Sequence, residues 1–269
     1  MQSPIDGGVV LITGASSGIG LSLAKQVAKS GGDLVLVARR APQLDEAKRE
    51  IEKEGGKGRI EVVSLDISKA DDVQSAIKRM LSGGKVDVLV NNAGVVMPGR
   101  FIELPMAEFH SMMNINYFGT VHMCRALVPH MIENGGGRIC NVSSLAGVIG
   151  IYGYSAYAAS KFAICGFSQA LRAELWPHGI AVSVCMPPDT DTPQLAFENQ
   201  FKPAETKAIA GTVKPLAPDD VALAIARGIA HGTFEIFADF GSRAATRAHG
   251  IVPGIVRWFC DSAQRKAQS

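Results

Sequence analysis

The chain has 269 residues, 47% hydrophobic and 19% charged, enough for one large domain with a sizeable core. Its 29 glycines and 13 prolines are scattered rather than periodic, which excludes collagen-like and low-complexity readings. With 27 basic against 25 acidic residues the net charge is +2, and without a long basic run neither a nucleic-acid arm nor a polybasic membrane patch has support.

Residues 1–8 carry no charged segment followed by an apolar one, so no signal peptide is expected and the chain reads as cytoplasmic. Residues 9–13 form the first short run rich in Val, Ile and Leu, bounded by turn residues. Similar runs at 34–38, 60–65, 86–90, 138–142 and 181–186 also read as buried strands. Helix-like stretches lie between them at 19–29, 44–54, 70–81, 106–132 and 157–176. Ser68 and Asp71 have the spacing of a capping box for the third of these. A helix over about 219–230 and a seventh strand at 234–237 complete the pattern. Strands buried on both faces and separated by helices predict an α/β fold: a single doubly wound parallel sheet (Rossmann fold) with helices on both faces. Residues 1–269 read as one domain, with a substrate-loop insertion at about 188–215 and an apolar C-terminal segment at about 249–262.

The first strand runs into Thr13-Gly14-Ala15-Ser16-Ser17-Gly18-Ile19-Gly20, and a helix follows. Glycines there let the backbone turn sharply and approach a pyrophosphate, while the helix N-terminus offers free N–H groups. The second strand ends in Arg39 and Arg40 with no acidic residue beside them. An arginine here suits a 2′-phosphate where a carboxylate would hold a 2′-hydroxyl, so the expected cofactor is NADPH/NADP+. Asp66 and Ile67 close the third strand, the carboxylate placed to accept from an adenine amino group. Asn92, Ala93 and Gly94 close the fourth with small residues that permit close approach of the cofactor.

Tyr157 and Lys161 stand four residues apart at the start of a helix, on one face. A tyrosine has an ordinary pKa of about 10, and bringing it near neutrality takes ~4 kcal/mol of differential stabilisation of the phenolate. Lys161 and the positive charge of an oxidised nicotinamide together are the expected source. The ordered set of the glycine-rich turn, Asn91-Asn92-Ala93-Gly94, Asn116 in Asn114-Ile115-Asn116, the Ser143-Ser144 pair and Tyr-x-x-x-Lys resembles the short-chain dehydrogenase/reductase family over nearly the whole chain. That resemblance implies Tyr157 as catalytic acid/base and Lys161 as its electrostatic partner and ribose ligand. It implies Ser144, rather than Ser143, as the group holding the substrate carbonyl, and Asn116 as the residue orienting a water in a proton relay. Donors then converge on an oxygen that gains negative charge as hydride arrives at carbon.

After the sixth strand comes Pro187-Pro188-Asp189-Thr190-Asp191-Thr192-Pro193, where the family shows Pro-Gly and a threonine on the nicotinamide carboxamide. Thr192 keeps that position, Pro187 and Thr190 join the cofactor contacts, and Pro188 stiffens the base of the loop. This string, the Glu198-Asn199 pair and Lys202-Pro203-Ala204-Glu205-Thr206 are similar to the family's 3-ketodihydrosphingosine reductases; Gln194 departs from their glycine. The subgroup resemblance implies reduction of the 3-keto group of a long-chain sphingoid base. The segment from Asp189 to Thr212 would cover the alkyl chain, with Leu195, Phe197 and Phe201 as apolar contacts, Ile209 behind them, and Asp189 or Asp191 near the substrate's ammonium. Another hydrophobic carbonyl, such as a steroid or a 3-oxoacyl thioester, is the competing reading. A catalytically silent nucleotide-binding scaffold is the non-enzymatic one, against which stand Tyr157 and Lys161.

The remaining residues read more plainly. Cys124, Cys140, Cys165, Cys185 and Cys260 form no CxxC pair and are expected as buried thiols in a reducing compartment. The six histidines show no HxxxH or HExxH pattern, so no metal is expected. No run reaches the ~18 apolar residues of a spanning helix. Residues 251–259 are either an interfacial helix at a membrane surface or a C-terminal helix docked on the core. Family resemblance implies a homodimer or homotetramer packed through the 106–132 and 157–176 helices.

Overall fold

A computed structural model describes residues 5–210 and 214–268. Seven parallel strands, β1 (Val9–Thr13), β2 (Asp33–Ala38), β3 (Ile60–Ser64), β4 (Val88–Asn91), β5 (Gly137–Val142), β6 (Ile180–Cys185) and β7 (Glu235–Ile236), form one sheet in the order β3-β2-β1-β4-β5-β6-β7. Along each central strand the side chains alternate between two cores. Val10 and Ile12 with Val88 and Val90 meet α1 (Gly18–Lys29), α2 (Ala41–Lys53) and, from late in the chain, α9 (Pro218–His231). Leu11 and Leu89 with Ile139 and Val182 meet α3 (Ala70–Leu81) and α5 (Gly119–Glu133) on the other face, beside α6 (Ser155–Leu175). Both faces are therefore dry, which is why these strands read as continuous apolar runs.

The helix expected over 106–132 is divided. It runs as α4 (Met106–Met112), a π-helical turn over Met113–Phe118, and α5. Gly119 lets the start of α5 lie against Ile67, whose Cδ1 would stand 2.6 Å from a Cβ at that position. The capping box also fails: no side chain caps α3, and Ser68 instead donates its hydroxyl to Asp66 at 2.7 Å. The helix begins one residue later than the box requires, with Lys69 at its N-cap.

After β6 the chain forms α7 (Pro193–Glu198) and α8 (Ala204–Ala210); Thr212 lies outside the described residues. The C-terminal part is α10 (Phe240–Ile251) and α11 (Pro253–Gln268). The α11 helix packs against α8 and α10, so it is docked, yet Ile255, Trp258 and Phe259 are exposed on it. No helix among the described residues is long and apolar enough to cross a membrane. Cys124, Cys140 and Cys185 are buried as expected, but Cys165 and Cys260 are only partly so. Burial pushes Cys124 and Cys140 up to about 12, which leaves them unreactive thiols.

Candidate active site

The strand order reverses between β1 and β4, and the chain leaving β1 lies at that switch point. Gly14 adopts φ +67° and donates its N–H to the Val37 carbonyl at 2.7 Å. A Cβ on it would stand 2.8 Å from the Ala93 Cα; one on Gly20 would strike the Gly14 carbonyl oxygen. Gly18, at φ +55°, faces the Thr192 methyl at 3.0 Å from where its Cβ would be. The turn presents backbone where any side chain would fill the cradle, and no side chain caps α1, so its first N–H groups suit an anion. Ser16 and Ile19 are half-buried and Ser17 is exposed at this helix start.

Asn92 is the clamp of the loop. Its Nδ2 donates to the Thr13 and Gly14 carbonyls at 3.0 and 3.2 Å, and the Thr13 hydroxyl accepts from the N–H groups of Asn92 and Ala93 at 3.0 Å each. A Cβ on Gly94 would lie 3.4 Å from Lys161 Nζ, so the bare backbone there opens space beside the lysine. Arg39 and Arg40 are exposed at the end of β2. Burial opposes ionisation of Asp66, but hydrogen bonds from the Ser68 hydroxyl and N–H, with Arg39 and Lys69 nearby, hold it below the ordinary carboxylate value. The Ile67 carbonyl meets His122 Nδ1 at 2.9 Å.

Tyr157 and Lys161 lie on the first turns of α6 and are both buried. Lys161 Nζ donates to the Val142 carbonyl at 3.0 Å and stands 5.7 Å from the centre of the Tyr157 ring. Ser144 caps a single 3-10 turn over Leu145–Gly147, accepting from Ala146 N at 3.1 Å, with its hydroxyl near enough to the Tyr157 phenol to favour the phenolate. Ser143 points the other way and donates to the Lys161 carbonyl at 2.9 Å. The structure thus brings Ser144, Tyr157 and Lys161 together and leaves Ser143 as a brace.

Asn116 sits in the π-helical turn, wholly buried. Its Oδ1 accepts from Val95 N at 2.8 Å, and its Nδ2 donates to the Val95 carbonyl at 3.0 Å and to Ser160 Oγ at 2.9 Å. Thr120 donates its hydroxyl to the Asn116 carbonyl, 2.8 Å away. The widened turn aims this side chain across to the β4 end, a common location for such turns at functional sites.

Burial, with the charges of Glu198 and Asp189, pushes Tyr157 well above its ordinary value, against the effect of the Ser144 hydroxyl. Burial likewise brings Lys161 down to about 8. Desolvation dominates here because both groups are enclosed and the lysine is bonded to a carbonyl rather than to the phenol.

The loop after β6 covers this group. The Pro187 carbonyl accepts from Leu145 N at 2.9 Å, and Thr190 donates to the Pro188 carbonyl at 2.9 Å. Thr192 caps α7, accepting from Leu195 N at 3.2 Å. Leu195 is buried, whereas Phe197 and Phe201 form an exposed pair with ring centres 5.0 Å apart. Asp191 is exposed, but Asp189 is engaged by Lys202 at 3.0 Å. Lys202 also holds Glu198 at 2.7 Å, and Glu198 accepts from the Tyr154 hydroxyl at 3.0 Å. Sequence reasoning missed Tyr154 and the pairing of Glu198 with Lys202. Their signals were the i,i+3 spacing of Tyr154 to Tyr157 and the i,i+4 spacing of Glu198 to Lys202.

A dinucleotide cradle at the switch point beside half-buried Ser144 and buried Tyr157 and Lys161 is an arrangement built for oxidoreduction. The short chain dehydrogenase family model matches residues 8–203, and the chain belongs to that family of oxidoreductases. The 3-ketodihydrosphingosine reductase of Mus musculus is 43% identical over 234 residues, covering 86% of this chain and 70% of that protein. Among solved structures, a short-chain dehydrogenase/reductase from Burkholderia phymatum in complex with NAD has a TM-score of 0.82 at 26% identity, covering 95% of this chain and 96% of its own. A short-chain dehydrogenase from Sphingobium yanoikuyae in complex with NADPH has a TM-score of 0.79 at 27% identity, covering 93% and 95%.

Proposed function

We propose that the protein reduces the 3-keto group of a long-chain sphingoid base, 3-ketodihydrosphingosine to dihydrosphingosine, with NADPH as the reductant. The observation that carries the chemistry is Ser144 beside buried Tyr157, with Lys161 Nζ 5.7 Å from the centre of the tyrosine ring, at the carboxyl edge of the sheet. The substrate class rests on the 43% identity to the mouse reductase. Gly14, Ser16, Ser17, Gly18, Ile19 and Gly20 would hold the pyrophosphate, Arg39 and Arg40 the 2′-phosphate, and Asp66 and Ile67 the adenine. Asn92, Ala93, Gly94, Pro187, Thr190 and Thr192 would line the nicotinamide half. NADPH, when bound, supplies the hydride.

Tyr157 donates its hydroxyl proton to the carbonyl oxygen, which becomes basic enough to take a proton from a phenol of raised pKa as negative charge grows on it. Ser144 donates a second hydrogen bond to the same oxygen. Lys161 stabilises the phenolate left behind and bonds the ribose. Asn116, anchored on Val95, orients the water that returns a proton. Leu195, Phe197 and Phe201 accept the alkyl chain.

The protein acts in the cytoplasm, and the exposed Ile255, Trp258 and Phe259 support contact with a membrane surface. Exposed Phe118, Ile132, Phe162 and Trp176 support a homodimer or homotetramer. The deciding experiment follows NADPH oxidation against 3-keto long-chain bases, steroids and 3-oxoacyl thioesters. Preference for the long-chain bases is expected; faster turnover of either other class overturns the substrate assignment.

A further inference from the structure

Four side chains that the proposed chemistry does not use form a continuous network beside the catalytic tyrosine. Tyr154 stacks obliquely on Tyr157, with ring centres 5.5 Å apart, and donates to Glu198 at 3.0 Å. Glu198 is paired with Lys202, and Lys202 with Asp189. Lys202 is 1% exposed and Glu198 8%, but the Asp189 side chain is 36% exposed, so the network is closed at the lid and open at one end. Two carboxylates share one ammonium. The pair carries one negative charge in excess, in surroundings where an unbalanced charge is expensive. Lys161, the other cation of the site, is held on the Val142 carbonyl. The network's charge also reaches the reacting group, since Glu198 and Asp189 both act on Tyr157.

We infer that the Tyr154–Glu198–Lys202–Asp189 network is the specificity element that selects a ketone carrying an ammonium on the carbon next to its carbonyl. This rests on the proposed ketoreductase function. Such an ammonium is separated by only two carbons from the oxygen that Tyr157 protonates, so it enters the site on the side of whatever charge adjoins the tyrosine. Here that charge is negative and incompletely neutralised. A neutral ketone of the same length gains the same apolar contacts but leaves the carboxylates as they were. The hydrogen bond from Tyr154 fixes α7 against α6, so the lid and the charge are set in place together.

The test compares three ketones of equal chain length at neutral pH: the free 2-amino ketone, its N-acetyl derivative, and the analogue lacking the nitrogen. The unaltered protein is expected to favour the free amine at least tenfold in kcat/KM. Glu198→Gln and, as the variant at the exposed end, Asp189→Asn should each shrink that ratio severalfold. Calorimetric binding of the long-chain amino diol against its des-amino counterpart, on the NADP+-loaded protein, reads the same preference without turnover. A ratio near one in the unaltered protein, or a ratio untouched by both variants, overturns the inference. If no ketone is reduced while the amino diol still binds preferentially, the proposed function fails and the inference stands; equal binding of the two diols sinks the inference whatever the turnover.

Discussion

Tyr157 and Lys161 share one helix turn, yet each is perturbed chiefly by its own burial and neither by the other. With its pKa raised by burial the phenol is a weaker acid than an exposed one, so a cation beside it matters as the phenolate forms. Tyr157→Phe should therefore abolish nearly all turnover while leaving NADPH affinity, measured by fluorescence titration, within a fewfold. Lys161→Met should damage both, because in the proposed mechanism the ammonium would also bond the cofactor's ribose. The lysine has a consequence for stability as well. Its folded value of about 8 lies below the ordinary 10.5, so between those values the unfolded chain binds more protons and folding strengthens as pH rises. Denaturant unfolding of the unaltered protein and of Lys161→Met across pH 7.5–10.5 should show the difference moving in favour of the unaltered protein; a pH-independent difference contradicts the burial assigned to this ammonium. Arg39 offers a third residue-level check. Arg39→Asp should weaken NADPH binding far more than NADH binding, and equal affinity of the unaltered protein for both cofactors counts against the 2′-phosphate assignment.

The elements that build the site differ in how they are held. The glycine-rich turn is fixed by backbone crowding against Ala93 and by the Asn92 clamp, contacts that no exposed loop could supply. The π-helical turn is held by Asn116 reaching Val95 and Ser160, and the chain accepts the poorer local geometry because three hydrogen bonds of a buried side chain depend on it. The lid helix α7 is different again. Its inner side is anchored by Leu195 and Glu198, while Phe197 and Phe201 face outward as an aromatic pair. If these rings bind the alkyl chain, each added methylene contributes up to ~0.8 kcal/mol until the groove is full. The ratio kcat/KM should climb with chain length and then level off, and Phe197→Ala should flatten the climb. Efficiency independent of length in the unaltered protein would rule out the groove.

At the scale of the molecule, exposed apolar side chains outside the lid and the Phe101–Ile102–Met106 segment gather on two further regions. One runs from the π-helical turn to the end of α6, where Phe118, Ile132, Phe162 and Trp176 are exposed and Tyr117 meets Phe167 edge-on at 6.0 Å. A second copy covering this face would bury rings that a monomer leaves in water. Light scattering on the eluting protein should give a dimer or tetramer, and the double variant Phe118→Glu, Phe162→Glu should elute as a smaller species with its fold intact by circular dichroism. A monomeric unaltered protein at micromolar concentration removes the proposal. The other region is the outer side of α10 and α11, with Ile251, Ile255, Trp258 and Phe259.

Local chemistry was legible in the chain itself. Residues 9–13 and 70–81 fall where periodicity places them, because apolar spacing and bounding turn residues act over a few positions. The switch-point loop and the Tyr-x-x-x-Lys turn are legible for the same reason: their geometry is set by glycines and by helix period. The single helix expected over 106–132 is interrupted because Asn116 bonds Val95, 21 residues away, and Ser160, 44 away. Asp189 reads as a free charge in a loop until Lys202 is brought to it, and Tyr154 as an ordinary tyrosine until α7 lays Glu198 on its hydroxyl. The capping pair at Ser68 looks sound until the folded helix takes Lys69 as its N-cap and turns Ser68 to Asp66. These outcomes depend on competition among hydrogen-bonding partners, most of them far apart in the chain. The order of strands and the placement of the lid decide that competition, and spacing along the sequence does not encode it.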